Sequence, residues 1–384
     1  MRKGISTARA NSHVPIGSKR KTLLAVGMSS MIALAFSGCS EGVTNEGGGS
    51  AVELTVVTAA QPGTPSAAVQ DWYLDRVEEK SEGQISFQRT ETESVCAATE
   101  IVECLRDGRA DLGITVPDYT PQYFSTVSVS GIPFAGQNSQ AITQTLYDIH
   151  TENEQAIELL EQQGLHYVST WPVGRFLFGS YEPVESIEDI DGLRVRSSGP
   201  VIQATLEGAG ASIAAIEASE SYEAVQRNMV DAVGAAMDFA VNYRLMELLP
   251  YWSDPGVGQY STYGMWFSNG AYDSLDDDLK KIVDDVTQEL NEGVGMEMFN
   301  DAAAEQCEQL TASGAVNDVF AWDEEATEAW EESVSETAKA TWIELAKGYD
   351  LEDPESLLDE YQQGLEEHAD AEYQDATLDC VANF

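Results

Sequence analysis

The sequence predicts an α/β fold arranged in two lobes, and three observations lead to this fold class. Short β-branched or alternating segments, typical of strands, alternate with longer amphipathic segments, typical of helices. A chain of 384 residues exceeds what one hydrophobic core usually supports. Hydrophobic residues make up 43% of the chain, enough for a sizeable core in each lobe. The alternation also favours largely parallel sheets.

The first 39 residues predict an export signal rather than part of the fold. They carry six cations and no acid, and an apolar run from Thr22 to Phe36 follows the basic cluster Lys19–Lys21. This run is shorter than the roughly 20 residues that a membrane-spanning helix needs. It ends in Phe-Ser-Gly before Cys39, which resembles a lipobox whose cysteine becomes the lipidated N-terminus. Ordinary signal cleavage nearby, with Cys39 incidental, is the alternative.

Residues 40–52 predict a flexible tether between the lipid and the folded body, because they are rich in Gly and Ser. The lipid anchor would hold the exported protein at the outer face of the cytoplasmic membrane, in the periplasm or at the cell surface. Processing removes six of the 20 cations and none of the 66 acids, so the formal net charge changes from −46 to −52. This charge excludes nucleic-acid binding and docking on anionic lipid through a basic patch.

Four cysteines follow the signal, and an even number in an exported chain predicts disulfides. Three pairings are possible. We favour Cys96–Cys104, which closes a short loop, and Cys307–Cys380, which would fasten the C-terminal tail to a long helix. The ligand spacings of zinc sites are absent, so we predict no metal site and no cofactor.

In the amino-terminal half of the mature chain, short β-branched or alternating runs predict strands. These are residues 53–58, 84–88, 110–116 and 166–171. Apolar residues spaced three or four apart predict helices. These are residues 66–80, residues 97–107 and about 25 residues after Asn138.

The same patterns continue in the carboxyl-terminal half. The predicted strands are residues 175–180, 193–196 and 230–235. The predicted helices are residues 200–208, 217–228, 275–312, 322–346 and 354–370.

Arginine is concentrated in one short stretch. Arg175, Arg194 and Arg196 fall within 22 residues, although the mature chain has only nine arginines. The strand period of two places Arg194 and Arg196 on one face and their apolar neighbours on the other. A guanidinium on a strand end can bind a carboxylate through two parallel N–H···O bonds, which lysine cannot do. Ion pairing with surface acids is the alternative.

Catalytic motifs are not found. The sequence has no Gly-X-Ser-X-Gly and no phosphate-binding glycine loop, and its acids are too numerous to single out a hydrolytic pair. The motifs therefore indicate no enzyme class, and a secreted hydrolase that uses an acid pair is kept as the less favoured alternative.

The arginine stretch also resembles a known family. Ile187–Arg196 (IEDIDGLRVR) is similar to the "DLKGLKIR" signature of the substrate-binding proteins of tripartite ATP-independent periplasmic (TRAP) transporters, of the DctP type. Further motifs of that family are matched in order and spacing from about residue 53 to 310. They are Val77–Gly83, Cys104–Leu112, Ile132–Phe134, Ala218–Asp231 and Ser268–Asn269.

This resemblance implies a periplasmic-binding-protein-like fold: two lobes around a cleft, joined by crossing strands and a long helix. Lobe I would comprise residues 53–172 and 264–305, and lobe II residues 173–263 and 306–384. The function that the resemblance implies is not catalysis but capture of a small organic acid and its delivery to TRAP-type permease subunits. A binding protein of an ABC-type importer, or a sensor, is the alternative with the same fold.

The resemblance implies that Arg196 binds the ligand carboxylate. Arg175 directly follows Gly174, one residue earlier than in the family pattern, and such a shift turns a strand side chain to the other face. The run 232–237 is small and apolar, which suggests a ligand with an apolar part. The other predicted cleft residues are Gln61, Tyr119, Phe134, Trp171 and Phe239.

Overall fold

The computed structural model describes residues 51–384; the predicted signal, Cys39 and nearly all of the predicted tether lie outside the described residues. The strands are β1 Val52–Thr58, β2 Ile85–Arg89, β3 Leu112–Thr115, β4 Leu165–Pro172, β5 Leu177–Ser180, β6 Arg194–Arg196, β7 Ser212–Ala214, β8 Ala232–Ala235, β9 Tyr251–Asp254, β10 Thr262–Ser268 and β11 Asp318–Ala321. The α-helices are α1 Pro65–Lys80, α2 Ile101–Arg106, α3 Ser139–Glu152, α4 Glu154–Gln162, α5 Pro200–Gly208, α6 Ser221–Gln226, α7 Met237–Val241, α8 Asn269–Ser274, α9 Asp277–Glu289, α10 Gly295–Ser313, α11 Glu324–Gly348, α12 Pro354–Glu367 and α13 Ala376–Asn383.

Local sequence signals explain why two long predicted helices are interrupted in the structure. The single helix predicted after Asn138 is wrong: it is two helices, because Asn153 is extended and its side chain accepts the Ala156 N–H at 3.0 Å as the cap of α4. The helix predicted over 275–312 is continuous only through a π-helical turn, Leu290–Val294, which joins α9 to α10. Gly293 in this turn has φ 150°, which favours glycine.

The strands form two sheets. The first has the order β2-β1-β3-β10-β4 and the second the order β11-β9-β5-β8-β6-β7. In the first sheet β1 is parallel to β2 and β3, whereas β10 runs antiparallel to β3 and β4. In the second, β5 is antiparallel to both β8 and β9. Both sheets are therefore mixed, and the expectation of largely parallel sheets is wrong, because β5 and β10 each enter from the other sheet.

Two extended segments connect the sheets. Residues 173–176 lead from β4 to β5, and residues 255–261 lead from β9 to β10. The segments pair with each other: the Val173 N–H donates to the Ser261 carbonyl at 3.0 Å, and the Phe176 N–H to the Gly258 carbonyl at 2.9 Å. Helix α10 also packs against both α1 and α7. The predicted two-lobed architecture, with crossing strands and a long helix, is confirmed.

We call the halves built around the first and second sheets the first and second lobes; the residue boundaries given above remain a prediction. Buried clusters of apolar side chains fill each lobe, with Trp171 and Trp266 in the first and Trp252 and Trp330 in the second. Both predicted disulfides are present, Cys96–Cys104 with a Cα–Cα distance of 6.6 Å and Cys307–Cys380 with 5.7 Å. Within residues 51–384 we find no helix long and apolar enough to cross a membrane.

Candidate ligand-binding site

Arg196 is the last residue of β6 and is fully buried. Its Nε donates to the Ile216 carbonyl at 2.8 Å, which fixes the direction of the guanidinium. Neither terminal nitrogen, Nη1 or Nη2, has a hydrogen-bond partner among the described residues, although both are buried. Arg194 lies two residues earlier on the same strand but is exposed, and it pairs with Asp231 at 2.6 Å. The two arginines of the predicted strand face therefore differ in burial and in bonding.

Several strand ends meet around this guanidinium. Strands β6 and β8 are parallel, with Arg196 in register with Val233, so their carboxyl ends lie at the same edge of the second sheet. In mixed or parallel α/β sheets, ligands bind outside the carboxyl ends of the strands. Phe239, in the helix that follows β8, places its ring 4.5 Å from the guanidinium carbon of Arg196. This distance is in the range of a cation–π contact.

The first lobe covers the same site from the other side. Residues after β3 reach the second lobe: the Tyr119 hydroxyl accepts the Ala218 N–H at 3.1 Å. The neighbouring Asp118 accepts a hydrogen bond from the Ser261 hydroxyl at 2.5 Å. A Cβ added at Gly199, which has φ 94°, would lie 2.8 Å from an oxygen of Asp118, so this approach requires glycine. The lobes thus contact each other directly beside Arg196.

Two buried carboxyl groups lie within electrostatic range of Arg196. Burial raises the pKa of Asp118 to about 6, and its bond to Ser261 and the nearby Arg196 oppose this rise. Burial likewise raises the pKa of Asp238 to about 7, opposed by the Phe239 N–H and by Arg196. One oxygen of Asp238, Oδ1, has no hydrogen-bond partner in the described part of the chain. The site therefore contains a buried carboxyl group with one oxygen that meets no donor of the described residues.

Three tyrosines lie within electrostatic range of Asp238. Tyr260 is buried on the segment that leads into β10, Tyr263 is buried within β10, and Tyr243 follows α7. Burial raises the pKa of all three phenols, and the charge of Asp238 raises it further. Their hydroxyls are therefore protonated at neutral pH and can donate hydrogen bonds. A cavity of about 290 Å³ is lined by residues of both lobes, among them Ile216, whose carbonyl accepts the Arg196 Nε–H. Its lining includes Asp118, Tyr119, Ser197, Ile216 and Glu217.

Arg175 does not share this site. Its Nε donates to Asp254 at 2.9 Å and its Nη1 to Gln137 at 2.9 Å, and Nη1 also lies 3.5 Å from Asp375. The guanidinium is thus bound by the protein's own carboxylates at the crossing strands. A ligand role for Arg175 stays a prediction that these contacts do not support.

The other predicted cleft residues divide into two groups. Tyr119 and Phe239 lie with Arg196, as described above. Trp171 is in the core of the first lobe, where Nε1 donates to the Ser66 hydroxyl at 3.2 Å, and it stacks with Tyr263 at 6.5 Å. Phe134 packs edge-on against Trp330 at 5.8 Å.

Gln61 begins the turn before α1, and its carbonyl accepts the Thr64 hydroxyl at 2.8 Å. Two residues later, a Cβ added at Gly63 would lie 3.4 Å from the Asn242 amide nitrogen, so this turn reaches the second lobe. The ligand role of each predicted residue remains a prediction.

Sequence reasoning missed Asp238 and the three tyrosines. The only local signal for Asp238 is a single acid directly after the apolar run 232–237. No local pattern reports Tyr243, Tyr260 and Tyr263, since they reach the site from separate segments. The described residues contain no group of three or more His, Cys, Asp or Glu placed to hold a metal ion.

The two lobes, the crossing strands and the buried strand-end arginine define a solute-binding protein of the periplasmic-binding type. The chain belongs to the bacterial extracellular solute-binding protein family 7 (DctP), whose profile matches residues 56–345. The TRAP resemblance is confirmed, and with it the prediction that the chain binds a small solute and is not an enzyme.

Individual relatives are distant in sequence but close in fold. The ectoine-binding periplasmic protein TeaA of Halomonas elongata is 20% identical over 268 residues, which cover 69% of this chain and 76% of TeaA. A TRAP solute-binding protein of Rhodoferax ferrireducens, solved with benzoate, superposes with a TM-score of 0.75 at 18% identity, covering 83% of this chain and 98% of its own. One from Bordetella bronchiseptica, solved with mandelate, gives 0.71 at 20% identity, covering 82% and 99%.

Proposed function

We propose that this protein captures a small organic carboxylate between its lobes and delivers it to TRAP-type permease subunits. The observation that carries this proposal is the pair of buried terminal nitrogens of Arg196, which have no acceptor within residues 51–384. A buried charged donor without a partner is costly, and a carboxylate supplies two acceptors at the spacing of the guanidinium fork. The benzoate and mandelate held by similar structures are both carboxylates.

Closure of the lobes would complete the site. Asp118 and Tyr119 come from the first lobe, whereas Arg196 and Phe239 come from the second. A ligand that bridges these residues would favour the closed arrangement, and its carboxylate would be removed from water on closure. Charge pairing gains specificity in such a desolvated site, because a ligand without a matching charge leaves Arg196 unpaired.

The binding proposal is tested by a thermal-shift screen of organic acids and amino acids, followed by calorimetry. A ligand that binds only the folded state raises its unfolding temperature. Arg196→Ala should weaken binding of the identified ligand by about 2–5 kcal/mol. Arg194→Ala is the matched control, because that side chain is exposed and on the same strand. Undiminished affinity in Arg196→Ala contradicts the proposal.

We also infer that Cys39 is lipidated and that the lipid holds the protein at the outer face of the cytoplasmic membrane. The basic segment, the short apolar run and the Ser-Gly-Cys order support this inference. Cys39→Ser should release the protein from the membrane fraction, and intact mass should show the acyl groups only in the wild type. A wild-type protein that is unmodified and soluble after export contradicts it.

Delivery to a TRAP permease predicts that uptake of the ligand by cells can be lost without any change in ligand affinity. Deleting the permease subunits should abolish uptake of the ligand by cells while leaving its affinity for the purified binding protein unchanged. Uptake that continues without these subunits would favour an ABC-type importer instead.

A further inference from the structure

Asp238 is the feature of the site that binding of a plain carboxylate leaves unexplained. It lies in the first turn of α7, where its carbonyl accepts the N–H groups of Asn242 at 2.7 Å and Tyr243 at 3.2 Å. These bonds fix its backbone. The side chain is buried, with Oδ1 bound to no donor of the described residues. A buried acceptor without a partner is unusual and costly in a folded protein.

Asp238 and Arg196 face the same site without neutralising each other. They follow the parallel strands β8 and β6, and Phe239, next to Asp238, is the residue whose ring lies 4.5 Å from the guanidinium. Within residues 51–384, no nitrogen–oxygen distance of 4.0 Å or less pairs Arg196 with a carboxylate. The site thus presents two unpaired donor nitrogens and one unpaired acceptor oxygen, held apart on adjacent elements.

The balance of charge selects between ligand classes. The enclosed groups Arg196, Asp118 and Asp238 supply one cation and two acids. When both acids are ionised, an anionic ligand would add a third negative charge where water is largely excluded and charge interactions are strong. A ligand that carries a cation beside its carboxylate would instead place a positive charge against Asp238, which forms no salt bridge with the described residues.

The hydroxyl groups near Asp238 are also compatible with a bound cation. Tyr243, Tyr260 and Tyr263 lie close enough to Asp238 for its charge to act on their hydroxyls. A phenol oxygen can also accept a hydrogen bond from a cationic N–H group. The surroundings of Asp238 are therefore compatible with a ligand cation.

We propose that the ligand is a zwitterion whose carboxylate binds Arg196 and whose cationic nitrogen lies against the carboxylate of Asp238. This inference rests on the proposed function, and it narrows the ligand from organic acids in general to amino acids and related zwitterions.

Matched pairs of ligands test this without changing the protein. In each pair the cationic nitrogen is replaced by carbon or removed, and the carboxylate is kept. The pairs are proline with cyclopentanecarboxylate, trimethylglycine with 3,3-dimethylbutanoate, and phenylalanine with 3-phenylpropanoate. Calorimetry at one pH should show the zwitterion of a binding pair to be tighter by about tenfold or more, as expected for a desolvated charge pair.

A variant then tests whether Asp238 causes the preference for the zwitterion. Asp238→Asn keeps the shape of the side chain and should remove the preference for the zwitterion. Glu223→Gln is the matched control, because it removes the same charge from an exposed ion pair on α6 and should keep the preference. Circular dichroism of each variant checks that it is folded.

The outcomes separate the two proposals. If the best-binding carboxylate has no cationic nitrogen, or if Asp238→Asn retains the preference, this inference is overturned while the proposed function stands. If no carboxylate of either kind binds, the proposed function fails, and this inference fails with it.

Discussion

Replacing Arg175 by Met tests whether this arginine holds the crossing strands or binds the ligand. Its guanidinium is nearly buried, donates hydrogen bonds to Asp254 and Gln137, and lies 3.5 Å from a carboxylate oxygen of Asp375. Met fills a similar length but offers no donor. Asp254, with 2% of its side chain exposed, and Asp375, with 11%, would then be left buried without their cation.

The expected loss is large because breaking a buried ion pair on one side leaves the other charge unpaired. Such losses are about 3–5 kcal/mol in the free energy of unfolding, whereas exposed pairs contribute about 0–1 kcal/mol. Arg227→Met is the matched control: Arg227 pairs with Glu223 at 2.9 Å, and both side chains are about two-thirds exposed. Urea unfolding followed by circular dichroism measures both variants.

Ligand affinity of the folded Arg175→Met protein should change by less than Arg196→Ala changes it, because the guanidinium of Arg175 is bound by protein acceptors. Unchanged stability together with lost affinity would refute this reasoning and would return Arg175 to the ligand site.

Three further predictions concern stability. Replacing Cys307 and Cys380 together by Ser should lower the free energy of unfolding by about 2–5 kcal/mol, since this disulfide ties α13 to α10; equal stability of the reduced and oxidised forms would contradict this. Burial raises the pKa of Asp238 to about 7 from 3.8, so the stability that its protonated form provides is full below pH 4 and is lost as the pH rises through 7. Asp238→Asn should therefore melt above the wild type at pH 8 and close to it at pH 4, and a difference that does not change with pH would argue against the burial. The net charge of −46, or −52 after the predicted processing, predicts that molar NaCl raises the melting temperature by screening self-repulsion, and a flat or falling temperature would count against it.

Local sequence signals predicted the elements that have strong boundaries. Helix α5 was predicted to the residue, because Pro200 opens it and Gly208 ends it. Strands β7, β9, β10 and β11 have no counterpart among the predicted strands; β7 and β11 are short edge strands that depend on pairing with β6 and β9. The antiparallel course of β10 depends on its contact with β4, about ninety residues away in the chain, so no local pattern could show it.

From residue patterns alone, without the family resemblance, only the arginines at the end of β6 could be predicted as site residues. A period of two places Arg194 and Arg196 on one face, but burial distinguishes them: Arg194 lies beside the exposed Asp231, whereas Arg196 is covered by the first lobe. Asp238 can be recognised as a site residue only because it lies near Arg196, about forty residues earlier in the chain. Tyr263 can be recognised only because β10 follows a segment that crosses between the sheets. Such contacts between distant residues arise only in the folded chain, so local sequence patterns do not show them.

The most direct measurement of the central claim is a crystal structure of the protein with the carboxylate that the thermal-shift screen identifies. We predict the ligand carboxylate within hydrogen-bond distance of both Nη1 and Nη2 of Arg196, with the ring of Phe239 against the same guanidinium. A ligand bound elsewhere, or an Arg196 whose terminal nitrogens pair with Asp118 or Asp238 while the ligand is present, would contradict it.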